Sequence, residues 1–147
     1  MSSCVCLHVR RAARVLTRLY DEALAPCGLT SMQLGTLDSL ADFGASTLAR
    51  LAELNSHEKS ATWRGLQPLI RRDLVRRADT LGRADRYEIT PAGQALLQEA
   101  LGLWKGVQGR VVELLGEDAA RLTLIADALE NLESGTPASV QPRRAGT

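Results

Sequence analysis

A polar run near the middle of the chain carries side chains suited to contacting a nucleic-acid duplex. The run Lys59-Ser60-Ala61-Thr62-Trp63-Arg64 places hydroxyls and long cations within about two turns of a helix. Such groups donate to phosphate oxygens and to base edges in a DNA groove. We expect base and phosphate contacts from four of these side chains, with Ala61 on the same surface: Lys59, Ser60, Thr62 and Arg64.

The second half of the same helix carries apolar residues that would pack it against the protein core. Leu66, Leu69 and Ile70 recur at helical spacing, so the helix is predicted to be apolar behind and polar in front. Ser56 is the expected N-cap, because a serine hydroxyl can accept from the first free amides. Trp63 is expected to pack beneath the helix, with stacking on a DNA sugar as the alternative.

A basic two-stranded hairpin, or wing, is predicted directly after this helix. Residues 74–78 and 86–90 can pair as strands, and the Asp and Gly between them suit a turn. Residues 57–90 hold eight Lys or Arg against five Asp or Glu, whereas the whole chain carries +1. This local excess is what a phosphate backbone requires. We expect Arg83 at the tip and Arg86 beside it to enter or flank the minor groove.

The rest of the chain predicts helices on both sides of this segment. After the hairpin, Thr90 can cap a helix whose first residue is Pro91, where the missing amide costs nothing. The fold class is therefore mainly α with a small two- or three-stranded antiparallel wing. The predicted helices are residues 5–25, a second capped by Thr30 or Ser31 and running through Asp42, a third capped by Ser46 over 47–54, the polar helix itself, about 25 residues from Pro91, and a last one after Gly116.

Composition excludes several classes of protein. At 147 residues and 45% hydrophobic, the chain suits one ordinary core, and its near-neutral charge excludes a generic polycation. It has no apolar run long enough to span a membrane and no signal-peptide start, so we expect a cytoplasmic protein. The two histidines are far apart, and Cys4-x-Cys6 is too sparse for zinc. We therefore expect no enzyme activity, no metal and no cofactor.

These motifs together resemble the winged helix-turn-helix of the MarR family of bacterial transcription regulators. The likeness covers about residues 4–133 and rests on Arg71-Arg72-x-Leu74-Val75, a Gly-Arg wing and Thr-Pro-Ala-Gly at 90–93. The chain departs from the family at Leu81, where the wing usually has Asp. It departs again at Asp73, where Gly is usual, and at Asn55 and His57, which replace apolar residues.

The resemblance implies a homodimer that reads double-stranded DNA. Two reading helices about 34 Å apart suit a palindromic operator. The terminal helices carry more apolar surface than a small domain needs, which also favours a partner copy. The implied domains are a dimerisation helix at 1–30, the winged helix-turn-helix at 31–90, dimerisation helices at 91–133 and a disordered tail at 134–147.

A first candidate signal for such a regulator is thiol oxidation. Cys6, with Tyr20 fourteen residues later, is similar to the first helix of OhrR-type peroxide sensors in this family. A thiol at a helix start near Arg10 is suited to thiolate chemistry. Cys4 or Cys27 would be the resolving thiol. The second tyrosine of those sensors is replaced in the neighbourhood of Ser31.

A second candidate signal is a small aromatic carboxylate bound between the first, second and fifth helices, as in many relatives. His8, Arg10 or Arg11 would pair with the acid, and Trp104 would stack on the ring. The sequence favours a repressor released by such a ligand, with the thiol switch as the alternative. A winged-helix module that binds proteins and not DNA is a further alternative, which predicts no salt-dependent affinity for duplex DNA.

Overall fold

The computed structural model describes residues 4–79, 82 and 84–134, and groups the chain into two compact units, Met1–Val107 and Gln108–Thr147. Within the described ranges the predicted fold class is confirmed, because helices surround one small antiparallel sheet. The elements in chain order are α1 (Val5–Leu24), α2 (Ser31–Phe43), β1 (Ser46–Thr47), α3 (Leu48–Leu54), α4 (Lys59–Arg71), β2 (Val75–Arg77), β3 (Arg86–Ile89), α5 (Pro91–Leu115) and α6 (Asp118–Ser134).

Helix α2 lies at the centre of the first unit. It begins with a reciprocal cap, in which the Thr30 hydroxyl accepts from the Gln33 amide at 3.2 Å and the Gln33 side chain accepts from the Thr30 amide at 3.0 Å. The predicted cap at Thr30 is therefore confirmed. The leucines of α2 lie in the hydrophobic core and pack with residues from every other element of this unit except β1. The fully buried leucines of this core are Leu24, Leu37, Leu40, Leu51, Leu66, Leu69 and Leu97.

The sheet has three strands in the order β1-β3-β2. Val75 pairs with Ile89 and Arg77 with Tyr87, as the predicted hairpin requires. Strand β1 was predicted as the start of a helix, but Ser46 pairs with Tyr87 instead. The predicted cap at Ser46 is wrong, because Thr47 caps α3 by accepting from the Arg50 amide at 3.2 Å.

The turn between α3 and α4 is longer than predicted. Ser56 has a left-handed backbone with φ of 53°, and α4 begins only at Lys59 with Glu58 as its N-cap. The predicted cap at Ser56 is wrong, since that residue is needed to reverse the chain. Asn55, which stands where the MarR pattern usually has an apolar residue, is held by two hydrogen bonds. Its side-chain amide donates to the Ser39 hydroxyl at 3.2 Å and to the Leu51 carbonyl at 2.9 Å.

The start of α5 is fixed by a buried hydroxyl and a close packing contact. Thr90 accepts from the Gly93 amide at 3.0 Å, which confirms the predicted cap. A Cβ atom on Gly93 would overlap the carbonyl oxygen of Leu74, so the helix approaches β2 at a distance that glycine alone permits. The Thr-Pro-Ala-Gly motif therefore joins the wing to α5.

The second unit contains the end of α5 and all of α6. Gly116, at φ of 54°, separates the two helices where the sequence predicts a break. Large apolar side chains are exposed on both: Val112, Leu114, Leu122, Leu124, Ile125, Leu129 and Leu132. Among the described helices, none combines the length and apolar character that crossing a bilayer requires. The predicted tail lies outside the described residues, apart from Ser134 at the end of α6.

Candidate nucleic-acid interface

Helix α4 has one exposed polar face and one buried apolar face. Thr62, Leu66 and Leu69 follow one another at helical spacing and are buried in the first unit. Because the back of the helix is anchored in this way, its front is held toward solvent. The exposed residues of its first two turns are Lys59, Ser60, Trp63 and Arg64. We refer to these four residues as the reading face.

The structure changes the predicted roles of two side chains on α4. Thr62 is only 1% exposed and its hydroxyl donates to the Glu58 carbonyl at 3.0 Å, so the prediction that Thr62 reaches DNA is wrong. Trp63 was expected to pack beneath the helix, but it is 42% exposed. Ala61 is half-buried between the two faces. The exposed face of α4 therefore carries one hydroxyl fewer and one aromatic side chain more than the sequence predicts.

Contacts from the rest of the first unit hold α4 in place. The side-chain amide of Gln33 in α2 donates to the Gly65 carbonyl at 3.2 Å. After the end of the helix, the Arg72 guanidinium donates to the Gly28 carbonyl at 2.8 Å and to the Cys27 carbonyl at 3.0 Å. Arg72 therefore serves the fold, although its charge was counted toward the basic segment.

The wing carries basic side chains, and several of them are paired with acids. Arg76 forms an ion pair with Glu88 at 2.7 Å across β2 and β3, and Arg77 pairs with Asp85. Arg86 is exposed, and its guanidinium donates to the Ala45 carbonyl at 3.1 Å. Exposed ion pairs of this kind are weak, so a phosphate can compete for these arginines. Arg83, the predicted tip residue, lies outside the described residues.

The connected elements define a class of protein. Helix α3, the turn after it and α4 form a helix-turn-helix, and the β2–β3 hairpin follows as a wing, with β1 paired to the first two residues of β3. The second helix of such a motif reads the major groove and the wing lies beside it. The first unit is a winged helix-turn-helix, a DNA-binding architecture.

Comparison with solved structures identifies the family. The transcriptional regulator MosR of M. tuberculosis is 35% identical over 90% of this chain and 97% of its own, with a TM-score of 0.79. MosR in complex with DNA is 38% identical over 86% and 98%, with a TM-score of 0.71. The chain belongs to the MarR family of transcriptional regulators, which are DNA-binding proteins and not enzymes.

A more distant structure shares the fold alone. BpsR of Bordetella bronchiseptica, whose DNA binding is regulated by 6-hydroxynicotinic acid, is 21% identical over 91% of this chain and 96% of its own, with a TM-score of 0.75. No family model matches the chain, and no curated protein matches it.

The predicted thiol-sensing residues are spread along α1 and beyond it. Cys6 is exposed and Cys4 is half-buried at the N-cap of the helix. Tyr20 lies fourteen residues after Cys6 on the same helix, roughly 21 Å along its axis, so the two cannot meet within one chain. Burial raises the pKa of the Tyr20 hydroxyl. Cys27 is buried in the core, so the prediction that it is an accessible resolving thiol is wrong.

Two predicted ligand residues meet in a cavity between α2 and α5. Ser31 and Trp104 line a space of about 270 Å³ together with Leu34, Gly35, Asp38 and Leu101. Burial, and then the nearby carboxylate of Asp42, raise the pKa of Asp38. The cations predicted to bind an acid are elsewhere, because His8, Arg10 and Arg11 are exposed on α1 and none is among these lining residues. The sequence reading missed Asp38, whose spacing of seven from Ser31 was the available signal.

Proposed function

We propose that this MarR-family protein is a homodimeric repressor that binds a palindromic operator through the reading face of α4, with the wing on the adjacent minor groove. The observation that carries the proposal is the division of α4. Lys59, Ser60 and Arg64 are exposed in front, and Leu66 and Leu69 are buried behind. Cations and a hydroxyl presented on an anchored helix are suited to contacting guanine edges and phosphates. Arg86 would add phosphate or minor-groove contacts, and so would Arg83, which the sequence predicts at the wing tip.

Binding to the DNA upstream of its own gene tests the DNA-reading part of the proposal. Fluorescence anisotropy across a salt series should give an affinity that falls steeply as salt rises, with a slope of about 0.9 for each neutralised phosphate. Arg64→Ala should weaken binding by about 1 to 3 kcal/mol, or roughly 5- to 150-fold. Arg121→Ala is the control, because Arg121 is an exposed arginine on α6, away from the reading face. No salt-dependent affinity for any duplex would leave only the protein-interaction module, and equal affinity for every duplex would overturn the palindromic operator.

The homodimer is proposed from apolar side chains that the described chain leaves exposed. Helix α1 exposes Val5, Val9, Val15 and Leu19, and α6 exposes five further large apolar residues. Patches of this kind on a small domain usually mark a protein interface. Multi-angle light scattering should give twice the mass of the chain. Ile125→Glu should shift the mass toward the monomer, whereas Phe43→Glu, at a similarly exposed apolar residue on α2, should leave it unchanged.

Release by a small aromatic acid is proposed for the cavity that Ser31 and Trp104 line. An indole beside a polar rim suits a flat ring, and the cavity is of a size that holds one ring with a substituent. Titration of the protein–operator complex with benzoate and salicylate should release the DNA. Trp104→Ala should abolish release while leaving operator affinity within twofold of the unmodified protein.

A thiol switch is the second candidate, and the exposure of Cys6 favours it. Cys6 is exposed and Cys4 is near it at the start of α1, whereas Cys27 is buried. Oxidation of the Cys6 thiol gives a sulfenic acid, with water as the by-product from hydrogen peroxide and an alcohol from an organic hydroperoxide. The Cys4 thiol can then attack the Cys6 sulfur, which forms a disulfide and releases water. Hydroperoxide should release the operator, and Cys6→Ser should abolish that release. Release that survives in Cys6→Ser would remove this candidate.

A further inference from the structure

The indole of Trp63 occupies a position on α4 that its size and polarity do not explain. It is 42% exposed, and it lies one helical turn after Lys59 on the reading face. Its ring centroid is 6.3 Å from that of Tyr87 in β3, with the ring planes tilted by 55°. Tyr87 itself is buried. The indole is therefore supported on the side of the wing while much of its surface is open.

Trp63 forms one wall of a cleft between α4 and the wing. The cleft has a volume of about 460 Å³ and is lined by Leu48, Lys59, Ser60, Trp63, Asp85 and Tyr87. Three of these residues offer apolar surface, Lys59 and Ser60 offer donors, and the Asp85 carboxylate is already paired with Arg77. A ligand that suits the cleft has an apolar projection beside acceptor and anionic groups. The major-groove edge of a thymine has this combination, with a C5-methyl group, an O4 acceptor and the neighbouring phosphate.

We propose that Trp63 determines part of the operator specificity by packing its indole on the C5-methyl group of a thymine. The inference rests on the proposed function, in which the reading face enters the major groove. The methyl group is the apolar feature of that groove, and cytosine lacks it. Since Tyr87 already restricts the indole, less side-chain freedom is lost on binding than for an unsupported side chain. Trp63 thus reads sequence where Lys59 contributes charge.

Removal of single methyl groups from the DNA tests this inference. Selection from a random duplex library first defines the bound site. Each thymine in it is then replaced by deoxyuridine, which removes only the methyl group, and the dissociation constant is measured for the unmodified protein and for Trp63→Ala. We expect one thymine in each half-site whose replacement weakens binding by the unmodified protein roughly three- to fivefold, as burial of one methyl group implies. The same replacement should leave Trp63→Ala binding unchanged.

Controls separate this reading from a structural role for Trp63. Phe43→Ala removes an exposed aromatic ring from α2 and leaves α4 untouched, so it should keep the full sensitivity to deoxyuridine. Trp63→Phe retains an apolar ring and should keep part of it. If Trp63→Ala binds the selected site and loses the same factor at every deoxyuridine as the unmodified protein, the inference is overturned while the regulator function stands. If the unmodified protein selects no duplex at all, the proposed function fails and this inference fails with it.

Discussion

The Thr90 hydroxyl donates to the Asp73 carbonyl oxygen at 2.6 Å. Asp73 has a left-handed backbone, with φ of 55°, at the end of the reading helix, and Thr90 immediately precedes α5. The same hydroxyl accepts from the Gly93 amide, so one buried oxygen joins the exit of α4 to the entry of α5. The two segments that enclose the wing are thereby held at a fixed separation.

Removal of this hydroxyl should destabilise the protein. Thr90→Val keeps the shape of the side chain but removes the hydrogen bond to the part-buried Asp73 carbonyl and leaves the buried Gly93 amide without its partner. We expect a loss of about 1 to 3 kcal/mol in the free energy of unfolding, measured by urea denaturation. The matched control is Thr123→Val on α6, whose exposed hydroxyl donates to the Ala119 carbonyl, and it should change stability by less than about 0.5 kcal/mol. Equal losses in both variants would contradict this assignment.

Gly93 should not tolerate a methyl group. A Cβ atom there would overlap the Leu74 carbonyl oxygen and press on the Ile89 side chain, so Gly93→Ala forces α5 away from the sheet. The expected cost is about 1 to 3 kcal/mol in thermal or urea unfolding. Gly102→Ala on the same helix has nothing within 4 Å of the new atom and should stabilise the helix by up to about 1 kcal/mol. A stabilising Gly93→Ala would show that the contact is absent.

Cys27 should make stability depend on alkaline pH. Burial, and then the carboxylate of Glu99, raise the pKa of the Cys27 thiol, so the folded state holds the proton after the unfolded chain has released it. Stability from this group is therefore complete below the thiol's unfolded pKa, about 8.5, and declines as the pH rises through its folded value. Urea unfolding at pH 8 and pH 10 should show this decline, and Cys27→Ala should reduce it. Cys6→Ala, at an exposed thiol, is the control.

Asp38 should oppose an anionic ligand in the cavity beside Trp104. Because burial and then the Asp42 carboxylate raise the pKa of Asp38, this side chain is neutralised earlier than an ordinary aspartate as the pH falls, and benzoate should bind more tightly as the pH is lowered. Asp38→Asn should strengthen benzoate binding at pH 7.5 roughly fivefold, as about 1 kcal/mol of screened repulsion implies. Calorimetric titration measures both effects. If benzylamine binds the unmodified protein and benzoate does not, the proposed aromatic acid is the wrong class of ligand.

The order of the helices and of the β2–β3 hairpin could be predicted because each of them has a local signal. The Thr-Pro-Ala-Gly run predicted the start of α5, and the pair Thr30 or Ser31 predicted the start of α2, where the structure selects Thr30. Strand β1 has two residues and depends on pairing with Tyr87, which is distant in sequence, so no local pattern reveals it. The late start of α4 depends on the left-handed backbone of Ser56, a conformation that serine seldom adopts.

The reading face could be predicted only in part, because the chemical type of a side chain does not show which side of the helix it lies on. Thr62 lies four residues before Leu66 and seven before Leu69, so the periodicity already assigned it to the buried side despite its hydroxyl. By the same periodicity Trp63 follows Lys59 on the exposed side. Arg72 and the paired arginines of the wing could not be separated from free cations, since their partners come from other segments.

Helix α2 connects the cavity beside Trp104 to helix α4. The residue pair Ser31 and Leu34 forms one wall of the cavity, and Gln33 between them holds the Gly65 carbonyl in the middle of α4. A ligand bound in this cavity would therefore contact the same turn of α2 whose Gln33 side chain is hydrogen-bonded to α4. A rotation of α2 by a few degrees would be transmitted through the Gln33 hydrogen bond and would change the orientation of α4.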